Sequence, residues 1–166
     1  RSVVQATTAA AAASKLLIKQ RDTLTKKKRY PMERNIQDEK PSVGVFVCSC
    51  GINIAGIVDV DKVVAYAAQL PHVNYAENNL FSCSADAQES ITERIKEFSL
   101  NRIVIAACTP RTHEHMCQET LKNAELNGFM VEMANIRNHN SWVHQKDSTG
   151  ATQKAKDQVR MAVAKV

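Results

Sequence analysis

The sequence predicts an α/β fold: a small, open, parallel, Rossmann-like sheet of about four strands with flanking helices, preceded by an N-terminal helix and a linker. Three observations carry that expectation. Four short runs of β-forming residues are present: Val43–Val47, Val73–Glu77, Ile103–Ala107 and Phe129–Ala134. Between them lie helical stretches of roughly ten to fifteen residues. Strands that alternate with helices of that length need crossover connections, which run right-handed and make the strands parallel.

The elements follow in order. Ser2 is placed to cap a first helix, because the alanines that follow, with Leu16, Leu17 and Lys19, are strong helix formers. Residues 21–42 are charged, contain Pro31 and Pro41, and read as a linker or an extended crossing segment. Val43-Gly44-Val45-Phe46-Val47 is a continuous run of β-formers between Pro41 and Gly51, the pattern of a strand buried on both faces. Asp59 caps a helix from Val60 to about Gln69, with Val60, Val63, Val64 and Ala67 on one face, and Leu70-Pro71 ends it. Val73–Glu77 is a weaker second strand. Ser84 or Asp86 caps a helix to about Phe98, and Asn101-Arg102 turns the chain into the strand Ile103–Ala107. Thr109 as cap and Pro110 as first helical residue open the next helix, which runs to about Ala124 and closes at Asn127-Gly128. Phe129–Ala134 is the fourth strand. A polar loop, Asn135 to Gly150, leads into a last helix from Ala151 to Val166.

Composition excludes some classes. With 44% apolar and 23% charged residues the chain is a soluble globular type. The stretch from Val3 to Ile18 contains Gln5, Thr7, Thr8, Ser14 and Lys15, so it is too polar for a membrane span. No cleavage pattern of a secretory signal follows it, and the chain does not begin with Met, so it reads as a piece of a larger protein. The net charge of +5 is unevenly placed: residues 1–42 hold ten Lys and Arg against four Asp and Glu, and the remainder twelve against thirteen. The basic run Lys26-Lys27-Lys28-Arg29 has only Tyr30 as an aromatic neighbour. It reads as a solvated linker rather than a nucleic-acid contact.

The five cysteines are more informative: Cys48, Cys50, Cys83, Cys108 and Cys117. An odd count without a secretory signal argues against a disulfide framework and for a reducing, cytoplasmic compartment. Cys48 and Cys50 follow the first strand, Cys83 lies in the loop after the second, and Cys108 ends the third. In an open parallel sheet the carboxyl ends of the strands share one edge, where ligands bind. Four thiols on that edge suit a sulfur site, either zinc or iron–sulfur, and helix amino termini at the same edge favour its negative charge. The competing reading is that each cysteine is a small buried hydrophobe. That reading is preferred for Cys117, which falls in mid-helix. Arg111 and His113, at the start of the third crossover helix, are candidates to hydrogen-bond the thiolates. His113-Glu114-His115 lacks the spacing of a zinc protease, and no glycine fingerprint for a nucleotide is present.

Four motifs carry a family resemblance. They are Val43 through Cys48-Ser49-Cys50-Gly51-Ile52-Asn53-Ile54-Ala55-Gly56; Tyr75 through Cys83-Ser84; Ala106-Ala107-Cys108-Thr109-Pro110-Arg111-Thr112-His113-Glu114; and Met133-Ala134-Asn135-Ile136-Arg137 through Ser141-Trp142-Val143-His144. In this order they closely resemble the amino-terminal domain of the A-type subunit of heterodisulfide reductase. The resemblance covers about residues 42–165. It implies a [4Fe–4S] cluster on Cys48, Cys50, Cys83 and Cys108, in a protein that also carries FAD on a flavin domain and acts as an electron hub, in methanogens by splitting electron pairs. It implies as partners other heterodisulfide reductase-type subunits and ferredoxin or hydrogenase-type electron donors. It divides the chain into the terminal helix of a preceding flavin domain (1–20), a basic linker (21–42), the cysteine-bearing α/β domain (43–150) and a helix towards a further flavin domain (151–166). FAD is expected on the larger protein and not on this chain alone. Two positions depart from the family pattern: Ser49 stands where His is usual, and Asn140 where a cysteine is usual, which makes Asn140 a candidate neighbour of the site. The rival expectation is a metal-free scaffold domain that docks a flavin domain and partner subunits.

Overall fold

A computed structural model describes residues 1–23 and 26–166. The part of the expected linker at Leu24 and Thr25 lies outside the described residues. Helix α1 (Ser2–Leu17) is followed by a 3-10 turn, Ile18–Gln20. Then come β1 (Val43–Cys48), α2 (Ile52–Ala55), α3 (Val60–Ala67), β2 (Val73–Asn79), α4 (Ala85–Glu97), β3 (Arg102–Ala107), α5 (Pro110–Asn123), β4 (Val131–Asn135), a π turn at Arg137–Ser141, and α6 (Ser148–Lys165). The expected α/β class is what forms: one four-stranded sheet, all pairs parallel, in the order β2-β1-β3-β4.

That order positions the site. From β1 the chain steps to one side for β2, then back across β1 to β3 and outward to β4. Right-handed crossovers in opposite directions put their helices on opposite faces. Accordingly α3 packs with α6, and α4 with α5. The reversal leaves a crevice outside the carboxyl ends of β1 and β3. The central strand β1 is buried at all six positions, as the unbroken apolar run requires. Gly44 is needed there, because a Cβ on it would lie 2.5 Å from Leu100 Cδ1.

The helix starts obey local chemistry. The Asp59 carboxylate accepts from Lys62 N at 3.1 Å, and the Ser84 hydroxyl accepts from Ala87 N at 3.2 Å. Thr109 stands at the cap position of α5 without a side-chain bond, and Pro110 opens the helix. Helix α6 begins three residues before the expected Ala151, because the Asp147 side chain accepts from Gly150 N at 2.8 Å. Ser2 is the first helical residue rather than a cap.

The expected linker is not free along its whole described length. Arg34 N donates to Glu125 O at 2.7 Å, and the Arg34 guanidinium donates to Leu100 O at 3.2 Å. The buried Asn101 side chain accepts from Ser42 N at 2.8 Å and donates to Lys40 O at 2.9 Å and Glu39 Oε2 at 3.0 Å. Lys28 pairs with Glu119, and the Lys122 ammonium lies 5.5 Å from the Tyr30 ring centroid. From Arg34 to Ser42 the segment is a strap laid on the amino edge of the sheet, opposite the cysteines, while Lys28 lies against α5. By contrast, α1 buries none of its residues among those described.

Candidate metal centre

The chain leaving β1 makes an unusual turn. Cys50 has φ 46° and Gly51 has φ 55°, so two successive residues are left-handed. Such a conformation costs a non-glycine residue of order 1–3 kcal/mol and persists only where the surroundings over-determine it. They do so here. Ser49 N donates to Asn79 O at 2.8 Å, Ser49 O accepts from Ala55 N at 3.0 Å, and the Ser49 hydroxyl donates to Asn78 Oδ1 at 2.8 Å. The π turn ties in from the other side, with the Ser141 hydroxyl donating to Asn53 O at 2.6 Å. The turn keeps both Cys48 and Cys50 on one cavity at the sheet edge.

The Cys48 thiol is buried and its sulfur accepts from Ser82 N at 3.3 Å, which pins the next loop beside it. Gln88 holds that loop from α4 by donating to Ser82 O, and Thr120 of α5 donates to the same Gln88 side chain. Cys83, one residue on, is exposed. Cys108 is buried at the end of β3. Burial pushes its thiol up, the Arg137 guanidinium pulls it back down, and Cys48 and Cys50 add a smaller upward push. Cys117 is 1% exposed. Its thiol is pushed up to about 12, chiefly by burial and then by Cys108 and Cys83. All five cysteines are free thiols.

One small cavity collects them. Cys48, Cys50, Cys83, Cys108 and Cys117 all line it, with His113, Met116, Met133 and Arg137. The four expected cysteines are therefore brought together, and His113 joins them. Two expected neighbours do not: Arg111 is exposed on α5, and Asn140 is fully buried with its amide donating to Ala151 O at 2.8 Å. Neither lines the cavity. Cys117 is a core residue, as read from the sequence, and it also borders the cavity. It lies one helical turn after His113 on the same face of α5. Arg137 is a cavity residue that no spacing in the sequence marks. The structure has Arg137 Nη1 donating to Cys50 Sγ at 3.3 Å, with the guanidinium 4.8 Å from the Trp142 ring centroid. The available signal was position: Arg137 follows the end of β4 by two residues and so belongs to the same sheet edge.

The donor set tests what the site can hold. Sulfur ligands favour zinc or iron–sulfur centres over hard cations. A single zinc ion needs its thiolates at about 2.3 Å from one point. Among the described residues no three His, Cys, Asp or Glu side chains converge in that way. A polynuclear iron–sulfur cluster places its thiolates on separate irons, so thiols that line one cavity without converging on one point suit it better than a single ion. Besides the thiols the lining is apolar except for Ser82, His113 and Arg137. Exposed apolar side chains flank the lining residues along the chain: Ile52 after Cys50, Leu80 and Phe81 before Ser82, and Trp142 against Arg137.

No family model matches the chain. Curated relatives do. The chain is 53% identical over 127 residues to the A-type subunit of the H(2):CoB-CoM heterodisulfide,ferredoxin reductase of Methanothermobacter marburgensis, a match covering 76% of this chain and 19% of that protein. It is 51% identical over 128 residues to an A-type iron-sulfur subunit of the CoB-CoM heterodisulfide reductase of Methanopyrus kandleri, covering 77% and 20%. It is 47% identical over 128 residues to a protein of Archaeoglobus profundus described as like the A-type subunit of heterodisulfide reductase, covering 77% and 18%. The chain thus spans about a fifth of the length of these relatives.

Proposed function

This chain belongs to the family of A-type heterodisulfide reductase subunits, which are oxidoreductases, and on that premise we propose that its sulfur-lined cavity is the seat of an electron-relay centre. The observation that carries the reading is the convergence of cysteines from three strand ends on one cavity. Cys48, Cys50, Cys83 and Cys108 would hold a [4Fe–4S] cluster. Such a cluster, when bound, supplies one-electron exchange at a potential tuned by its surroundings.

The chain's own residues do the rest. The left-handed Cys50-Gly51 turn presents two thiols from one strand end at fixed separation. The contact of Ser82 N with Cys48 holds the loop that carries Cys83. Ile105, Ala107, Met116 and Met133 wall the cavity with apolar surface and keep water from its inner side. The exposure of Cys83 and the apolar rim around it leave one open side, where an electron donor or acceptor can approach. The partners that the relatives' names suggest are other subunits of a heterodisulfide reductase and ferredoxin. FAD belongs in this reading to the four-fifths of the relatives' length that this chain does not span. No helix among the described residues is long and apolar enough to cross a membrane.

Anaerobic purification of this chain tests the reading. The expected result is a brown protein with about four irons and four sulfides, and a broad band near ~400 nm that dithionite bleaches. A colourless protein with zinc or no metal overturns it, and leaves the metal-free scaffold as the reading.

A further inference from the structure

We propose that Arg137 is a positioning residue that sets the electron affinity of the sulfur site, through an unneutralised guanidinium held on Cys50. The inference rests on the cluster reading above and goes beyond it by assigning the charge that tunes it. Three features of the structure support it. First, Arg137 Nη1 donates to Cys50 Sγ at 3.3 Å, and the same side chain lines the cavity. Second, no carboxylate pairs with Arg137 among the described residues, whereas Lys28, Arg34, Lys96 and Lys165 each pair with a glutamate. Its remaining side-chain contact of note is a polar one, Nε to Asn138 Oδ1 at 3.4 Å. The full positive charge is therefore available to the sulfurs. Third, the guanidinium is held in place. It stacks over Trp142 at 4.8 Å, and both residues stand at the two ends of one π turn, whose Trp142 N donates to Arg137 O at 3.0 Å. An arginine that serves only solubility needs neither the turn nor the ring.

The physics gives the sign. Taking up an electron makes a thiolate-bound centre more negative. A hydrogen bond to a ligating sulfur and a nearby positive charge both stabilise that state more than the oxidised one, so both raise the reduction potential. Guanidinium groups as a class carry a permanent charge in proteins, so an arginine supplies a constant bias and not a switch. The indole ring limits how far the side chain can swing away, because cation–π contact favours the guanidinium over its face.

The experiment is a redox titration of the anaerobically prepared protein with its cluster, following visible absorption and the electron paramagnetic resonance of the reduced state. Arg137→Gln keeps a donor and removes the charge. It is expected to weaken reduction about tenfold, a shift of about 59 mV to lower potential for one electron. Arg137→Lys restores charge without the planar fork and is expected to recover most of that shift. Trp142→Leu, which leaves Arg137 intact but unanchored, is expected to shift the potential in the same direction by less. Iron content is measured in every sample. If Arg137→Gln loses its iron, Trp142→Leu decides: a potential equal to wild type in that variant overturns the proposal. An iron-loaded Arg137→Gln protein with unchanged potential overturns it while leaving the cluster reading intact. A wild-type protein without iron overturns both, and iron content tells that case apart.

Discussion

The two edges of the sheet are built for opposite ends. At the amino edge the strand ends are covered by the strap, and polar groups find partners: Asn101 alone joins Ser42 N, Lys40 O and Glu39. At the carboxyl edge the loops diverge around a cavity lined by thiols, apolar side chains, Ser82, His113 and Arg137. The first edge uses its side chains to close the fold. The second keeps reactive groups close together, holds Cys50 at a left-handed φ, and leaves apolar side chains such as Ile52 and Phe81 in solvent. A parallel sheet with a reversal in strand order creates the opening at the carboxyl edge only, so stability and chemistry separate along the strands.

The largest expected effect breaks the carboxyl edge alone. Cys48→Ala and Cys108→Ala are each expected to abolish most iron binding, with Cys50→Ala and Cys83→Ala following, while Cys117→Ala keeps its iron. Iron and sulfide analysis of anaerobic preparations checks this. Equal iron in all five variants and wild type would show that the cavity is packing and not a ligand set. The converse change is made at the other edge. Asn101→Ala leaves Ser42 N and Lys40 O without their partner, and is expected to cost about 1–3 kcal/mol in urea denaturation with iron per folded chain unchanged. A parallel loss of iron would mean that the two edges are coupled through β1 and β3 instead of working separately.

The carboxyl edge was more legible in the sequence than the amino edge. Cys48 and Cys108 directly end runs of β-formers, so alternation of strands and helices was enough to bring residues distant in sequence together. Cys83 could be placed in the loop after Val73–Asn79 for the same reason. What escaped was chemistry without periodicity. Arg137 lies in a π turn, which leaves no repeating apolar pattern, and the segment from Asn135 to Gly150 looks like any polar loop. Arg111 illustrates the reverse error. It is two residues before His113, which on a helix turns it about 200° away from the cavity, so nearness in sequence misled. The alternative at Cys117 could have been seen, since its spacing of four from His113 puts both on one helical face. Composition left residues 21–42 open between a linker and an extended crossing segment, and Arg34 and Glu39 are used as hydrogen-bonding partners of the domain.

The smallest effect sharpens the comparison by asking what the thiols cost when no cluster is bound. In the cluster-free, reduced chain, burial pushes the Cys117 thiol up to about 12, and Cys108 is raised as well. In the unfolded chain these thiols ionise near about 8.5. Above that pH the unfolded state gives up its protons while the folded state keeps them, so the folded state binds more protons and stability falls as pH rises. The contribution is fully present below about 8.5 and is lost progressively up to about 12 for Cys117, with a slope of at most about 1.4 kcal/mol per pH unit for that thiol. Tyr75, raised to about 12 by burial and its bond to Glu77, adds a similar loss that begins only above its ordinary value near 10. Between about pH 8.5 and about pH 10 the thiols therefore act without it. Cys117→Ala is expected to flatten the decline of stability across that window, even though the substitution also removes some packing at neutral pH. Urea midpoints of the two proteins, measured under reducing conditions at several pH values in the window, give the comparison. Parallel curves would show that Cys117 is not held as a neutral thiol in the fold. A flatter curve for the variant, with the amino-edge variant Asn101→Ala keeping the wild-type slope, would assign the alkaline weakness to the edge that carries the sulfur.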